Sequence, residues 1–212
     1  MAEPIVYGAA YSTYSRSVLL ALEEKGVAYR FEVVDFLKRG MPPEQLARHP
    51  FAKVPAFEHD GFRLYETGAI VRYVDEVFAG PPLQPAAPRA RARMNQIISV
   101  IDSYAVRPAV QRLGVQRLAM PALGRKPDEA VIAAALPMVE RSLAALEALV
   151  GEGPYAAGER LSLADLYLIP VFDFVSRTPE GKTVLADKAN LRRWWESVRG
   201  RESVARTEPG LG

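Results

Sequence analysis

The sequence predicts an α/β domain of order β-α-β-α-β-β-α over residues 1–77, joined to an all-α helical bundle over residues 89–212. Three observations carry this. In the first third, short strand patterns alternate with amphipathic helical ones. Between residues 81 and 88, four prolines (Pro81, Pro82, Pro85, Pro88) stop any helix and mark 78–88 as a linker. Beyond them the apolar residues recur at helical spacing and no strand pattern returns.

Taken in order, Ile5-Val6-Tyr7 is β-branched and aromatic, a buried strand closed by Gly8. The small, hydroxyl-rich run Ala9 to Ser15 leads into a helix whose core is Val18 to Leu22. Glu23-Glu24-Lys25 lie outside that core, and Gly26 follows as the residue after the cap. Tyr29–Val34 alternates as a second strand. Leu37–His49 reads as a loop with a short helix opened by Pro42-Pro43-Glu44. Ala56–Glu58 and Phe62–Tyr65 form a hairpin across His59-Asp60-Gly61, where Asp-Gly supplies the turn. Thr67–Val77 completes the domain as a third helix.

In the bundle, Ala90–Leu118 is a long amphipathic helix in which Pro108 marks a kink or local break. Asp128–Val150 is a second, with Ile132, Leu136, Val139, Leu143, Leu146 and Leu149 on one stripe and Pro137 as a local conflict. After the loop 151–158, Ser162-Leu163-Ala164-Asp165 opens a helix with the S-x-x-D form of a capping box. Residues 166–176 are apolar all round, as befits a central buried helix. Asn190–Arg199 closes the bundle, packing Trp194 and Trp195. The polar tail after Glu202 is expected to fray.

Composition excludes several function classes. A net charge of +2, with both signs mixed along the chain, gives no footprint for nucleic acid. No apolar run approaches the length of a membrane span, and no signal-like start is present, so a cytoplasmic protein is expected. With no cysteine and only His49 and His59, the chain cannot build a disulfide, a thiolate metal site or a thiol nucleophile of its own. No metal is expected, and a Ser-His-Asp hydrolase is hard to assemble. Both histidines read as structural or exposed.

Lys53-Val54-Pro55-Ala56-Phe57 and the downstream Glu66-Thr67-Gly68-Ala69-Ile70 stand apart from the scaffold. Pro55 cannot donate to a sheet ladder and belongs to a strand entrance. A cis bond before it would leave the backbone N–H and C=O of Val54 facing outward, able to pair with an extended peptide. Glu66 and Thr67 stand at a helix start, where free backbone N–H groups welcome a carboxylate. Together these make a socket for a small peptide with a free carboxylate.

IVYGAAYSTYSRSVLLALEEKG (Ile5–Gly26), PFAKVPAFEHDGFRLYETGA (Pro50–Ala69) and SLAD (Ser162–Asp165) resemble the cytosolic glutathione S-transferases over almost the whole chain. The likeness is to the serine-type classes and especially phi, with some zeta and theta character. It implies a thioredoxin-like glutathione-binding domain over 1–77 and a helical domain over 89–212 that supplies the pocket for an electrophile. Ser12 matches the hydroxyl that hydrogen-bonds the glutathione sulfur. Tyr7, at the position of the hydroxyl in tyrosine-type relatives, is the alternative, and Tyr11, Thr13 and Ser15 are further hydroxyls nearby. Val54 and Pro55 would meet the cysteinyl unit, and Glu66 and Thr67 the γ-glutamyl end. Lys53 with Lys38 or Arg39 would attract the glycine carboxylate. Tyr11, Tyr104 and Arg107 would line the electrophile pocket, and Asp102 would reach a partner chain in a homodimer. Gly68 departs from the arginine common in the phi pattern, and the segment Lys38–Met41 is shorter than the phi loop.

The chemistry implied is activation of a borrowed thiol. A free thiol has a pKa near ~8.5, and lowering it by about two units needs ~2.7 kcal/mol of preference for the anion. One hydroxyl bonded to a charged sulfur contributes roughly 1.5–3 kcal/mol, and the dipole of a helix beginning there roughly 0.3–1 kcal/mol. Conjugation to hydrophobic electrophiles is the leading expectation. Glutathione-dependent peroxide reduction or isomerisation would use the same thiolate. Non-catalytic ligand binding on the same scaffold is the reading that Gly68 favours.

Overall fold

The computed structural model describes residues 2–210, with the side chains of Lys38 and Arg39 outside the described residues. The chain divides into two compact units, one holding the residues up to Leu83 together with Glu202–Gly210, the other Gln84–Arg201.

In the first unit, β1 (Ile5–Gly8), β2 (Arg30–Val33), β3 (Ala56–His59) and β4 (Phe62–Tyr65) form a mixed sheet in the order β2-β1-β3-β4. β1 runs parallel to β2 and antiparallel to β3, which is antiparallel to β4. The parallel β1–β2 pair requires a crossover, supplied by α1 (Thr13–Glu24). The hairpin turns on two residues, Asp60 and Gly61, both at positive φ (50° and 78°), so His59 still pairs with Phe62. Helices α2 (Phe36–Arg39) and α3 (Pro43–Arg48) fill the connection from β2 to β3, and α4 (Thr67–Val77) packs against α1. Residues 37–39, expected as loop, are thus part of a helical turn. Val6, Leu20, Leu22, Phe57, Ile70 and Val74 are buried together in this unit's core.

The segment after Glu202, expected to fray, forms a helix instead (Glu202–Arg206, the last of the chain) and packs on α1. Its polarity hides buried residues, Val204 and Thr207 among them. The buried Arg16 guanidinium holds both, donating to the Val204 carbonyl (3.3 Å) and the Thr207 hydroxyl (3.4 Å). Elsewhere in the unit, Lys25 Nζ bonds the Asp75 carboxylate (3.2 Å) and the Pro81 carbonyl (3.2 Å), which fixes the start of the proline-rich stretch.

The second unit begins with α5 (Pro88–Val100), which continues as a π-wound stretch over Ile101–Ala119 and ends in the short α6 (Met120–Ala122). Pro108, expected to kink or break the helix, lies inside the π-wound stretch, which already begins at Ile101. Proline offers no N–H and crowds the carbonyl one α-turn back, and the wider winding accommodates it. Within it, Gly114 sits against Phe174, where a Cβ would lie 2.7 Å from the ring. α7 (Glu129–Leu149) runs through Pro137 without interruption. In α8 (Leu163–Ser176) every residue from Leu163 to Val175 is buried, as its all-round apolarity required. α9 (Pro179–Leu185) and α10 (Ala189–Val198) complete the unit, which makes Glu202–Arg206 α11.

The buried Asp165 organises the start of α8. Its carboxylate accepts from the Ser162 N–H (2.8 Å) and hydroxyl (2.9 Å), from Ala156 N–H (2.7 Å) and from Trp194 Nε1–H (2.8 Å). Burial pushes this carboxyl up while the four donors pull it down, and burial is the larger influence. Trp194, expected only to pack, therefore also donates. No helix among the described residues is long and apolar enough to cross a membrane.

Candidate functional site

The register of the sheet brings separated sequence motifs to one edge. Tyr7 pairs with Ala56 and Ala56 with Tyr65, while Gly8 pairs with Val33 in parallel. The exit of β1 (Ala9–Ser12), the approach to β3 (Lys53–Pro55), the exit of β4 (Glu66–Thr67) and the exit of β2 (Val34-Asp35) therefore share one end of the sheet. That end carries the candidate site. Beside it, a cleft of about 640 Å3 is lined by Val33, Val34, Asp35, Gly40, Met41, Pro42 and Pro43.

Ser12 is the N-cap of α1, in extended conformation (φ −80°, ψ 121°). Its Oγ accepts from the Ser15 N–H (3.3 Å), the ordinary service of a capping serine, and so its own proton is left to donate. Its N–H donates to the Ala9 carbonyl (2.9 Å), which tightens the turn. Ser15 points inward, accepting from Ala9 N–H (3.3 Å) beneath Gly8, where a Cβ would come within 2.6 Å of the Ser15 Oγ. Thr13 is buried. Tyr7 lies one position from Gly8 and so faces the other side of the sheet, with the Arg48 guanidinium 3.9 Å over its ring. Tyr11 donates its hydroxyl to Asp35 (3.3 Å) and accepts from Leu37 N–H (3.1 Å), and burial raises its pKa above the usual tyrosine value.

The Val54–Pro55 bond is cis. Val54 itself is half-buried, and none of its backbone groups takes part in a backbone hydrogen bond found among the described residues. The Lys53 side chain is exposed, while its carbonyl accepts from Gln45 Nε2 (2.7 Å).

Glu66 is the N-cap of α4 at a positive φ (71°), a conformation uncommon for a residue with a Cβ and concentrated at functional sites. Its carboxylate makes no capping bond and stands exposed beside the first turn, where α4 leaves N–H groups without intrahelical partners. Thr67 is buried at the first helical position. Arg72 reaches back one turn to the Gly68 carbonyl (2.7 Å). Beneath Glu66 lies His49, buried against the Tyr65 ring (centroids 4.9 Å), with Nδ1 accepting from Phe51 N–H (3.4 Å) and Nε2 3.8 Å from the Glu66 carboxylate.

Sequence reasoning missed the residues that brace this edge: Gln45, Arg48 and His49. All three come from α3 or its cap, a six-residue helix whose pattern is too short to say which way its polar side chains turn. His59, also buried, bonds Tyr73 (2.9 Å) away from these residues. The side chains of Lys38 and Arg39 lie outside the described residues. Tyr104, Arg107 and Asp102 belong to the second unit, where all three are exposed along the π-wound stretch. Among the described residues no three metal-ligating side chains converge.

The chain matches two family models, the glutathione S-transferase N-terminal domain over residues 6–82 and the glutathione S-transferase C-terminal domain over residues 82–202. The chain belongs to the glutathione S-transferase family. Glutathione S-transferase F13 of Arabidopsis thaliana is 28% identical over 209 residues, covering 97% of this chain and 95% of its own. Among solved structures, glutathione transferase F7 from Populus trichocarpa superimposes with a TM-score of 0.85 at 28% identity, covering 99% of each chain. A glutathione S-transferase I bound with lactoylglutathione does so with a TM-score of 0.84 at 29% identity, covering 100% of each. The relatives are plant phi-class glutathione S-transferases, as the motifs implied, and the glutathione S-transferase fold of a thioredoxin-like N-terminal domain with a helical C-terminal domain is shared.

Proposed function

We propose that the chain activates glutathione as a thiolate for attack on hydrophobic electrophiles. The observation that carries this is the Ser12 cap: an oxygen already accepting from Ser15 N–H, its proton free to donate, at the first turn of α1 and on the same sheet edge as Val54 and Glu66. The hydroxyl donates to the sulfur and keeps its proton, so no general base is required. The helix dipole of α1 adds to the preference for the anion. A homologous fold bound with lactoylglutathione supports the choice of tripeptide.

In this reading Val54 pairs its backbone with the cysteinyl unit beside Pro55. Glu66, with Thr67 and the α4 N-terminus, receives the γ-glutamyl amino and carboxylate groups. Lys53, with Lys38 or Arg39, attracts the glycine carboxylate. Residues 1–77 hold glutathione, 78–88 link, and 89–212 supply Tyr104 and Arg107 for the electrophile. The protein works in the cytoplasm as a homodimer to which Asp102 contributes. Tyr7, shielded by Arg48, takes no part in the chemistry.

The test combines retention on immobilised glutathione with turnover of 1-chloro-2,4-dinitrobenzene by the wild type and Ser12→Ala. Retention by both with turnover lost in the variant is the expected result. Retention with negligible turnover, unchanged by Ser12→Ala, would instead establish a binding role. Turnover of an organic hydroperoxide in place of the aryl chloride would redirect the same thiolate to peroxide reduction.

A further inference from the structure

Gln45 is fully buried in the middle of α3, where a side-chain amide is unexpected. Its Nε2 donates to the Lys53 carbonyl at 2.7 Å, while its Oε1 finds no partner among the described residues. An orphaned buried amide oxygen opposes folding, and a methionine of similar volume would avoid it. The bond made at Nε2 is offset by the one missing at Oε1, so the amide contributes little net stability. What the amide accomplishes is local. The Lys53 carbonyl and the Val54 N–H belong to one trans peptide plane and point in opposite directions. Holding the carbonyl inward on Gln45 turns the Val54 N–H away from α3.

We infer that Gln45 is a positioning residue for the tripeptide: by fixing the Lys53–Val54 peptide plane it aims the Val54 N–H at the ligand backbone. The inference rests on the reading above, in which Val54 pairs with glutathione. α3 gives the amide a firm base, since the Gln45 N–H donates to the Pro42 carbonyl (3.0 Å) and its own carbonyl accepts from His49 N–H (2.7 Å). Without the amide, the peptide plane is free to rotate, and the order required to bind is imposed only when the ligand arrives. Because the Val54 contact is made alike before and during reaction, its loss changes binding and leaves the chemical step alone.

The experiment compares wild type with Gln45→Met by calorimetric titration of glutathione, by kinetics against 1-chloro-2,4-dinitrobenzene, and by thermal unfolding. The Kd and KM for glutathione are expected to rise roughly five- to tenfold, with kcat at saturating glutathione within about twofold. Tm is expected to change little, since the orphaned oxygen is gone while the Lys53 carbonyl loses its donor. A brace with a purely structural role would lower Tm and leave Kd and KM unchanged, and that outcome overturns the inference. A second variant, Gln45→Glu, keeps the shape: its protonated acid can donate to the Lys53 carbonyl and its carboxylate cannot. Its glutathione affinity relative to wild type is expected to fall as pH rises, and a flat ratio counts against the role. Wild-type protein that ignores glutathione overturns both the site reading and this inference, whereas wild-type binding with unaltered variants overturns this inference alone.

Discussion

His49 Nε2 lies 3.8 Å from the Glu66 carboxylate, so a buried imidazole supports the residue that caps α4 in a strained conformation. Burial holds the His49 pKa below its ordinary value, against the raising influence of Glu66 and with the lowering influence of Lys53. The unfolded chain then binds a proton at His49 more readily than the folded one. Stability is fully present above the unfolded value near ~6.5 and is lost as pH falls through it. In urea unfolding, His49→Gln is expected to flatten the stability profile of the wild type between about pH 7 and pH 5. Parallel profiles for the two proteins would remove His49 from the account.

Glu66 trades backbone strain for position. Glu66→Gln should leave Tm nearly unchanged and weaken glutathione binding about tenfold or more, the loss expected for one charge-assisted hydrogen bond of ~1.5–3 kcal/mol. Glu66→Gly should lose the same affinity while unfolding within roughly 1 kcal/mol of wild type, on the stable side, because glycine accepts the positive φ. Calorimetry on both variants checks this, and full affinity in either would show that the carboxylate does not meet the ligand.

Ser12→Ala is expected to raise the pKa of the bound glutathione thiol by about one to two units and to lower kcat/KM by ~10–100-fold at neutral pH, from the loss of roughly 1.5–3 kcal/mol of anion stabilisation. Ultraviolet difference titration of the thiolate reads the shift directly. Loss of the cap adds a stability cost of about 1 kcal/mol, so Tm should fall slightly. If Tyr7→Phe abolished the thiolate signal and Ser12→Ala left it intact, the assignment would pass to Tyr7.

Asp165 is the structural counterpart. Asp165→Ala strands the N–H groups of Ala156, Ser162 and Trp194 in the core, and should destabilise by more than ~4 kcal/mol or abolish folding. Asp165→Asn, which keeps an acceptor, should cost less. Urea midpoints give the answer, and an alanine variant within ~1 kcal/mol of wild type would contradict the hydrogen-bond arrangement.

The parts of the fold and of the site legible in the sequence were those written in backbone chemistry. Pro55 announced a strand entrance, Asp60-Gly61 a hairpin turn, and Ser162-x-x-Asp165 a cap, because each residue type restricts φ or supplies a fixed local bond. The unread parts depend on which way a side chain turns after long-range packing. Nothing local says that Gln45 bonds Lys53 or that His49 reaches Glu66. Likewise, Glu202–Arg206 carries too few apolar residues to signal a helix, and partners far away in sequence, Arg16, Glu23 and Glu24, explain why it is ordered. Pro137 runs the other way: its presence argued for an interruption that α7 does not make, and nothing in the structure explains it.

The docking of α11 on α1 makes the first unit discontinuous in sequence. A chimera that exchanges only the leading segment with a relative would inherit one parent's Arg16 and the other parent's Val204 and Thr207. Any such recombination must carry residues 202–210 along with the front of the chain.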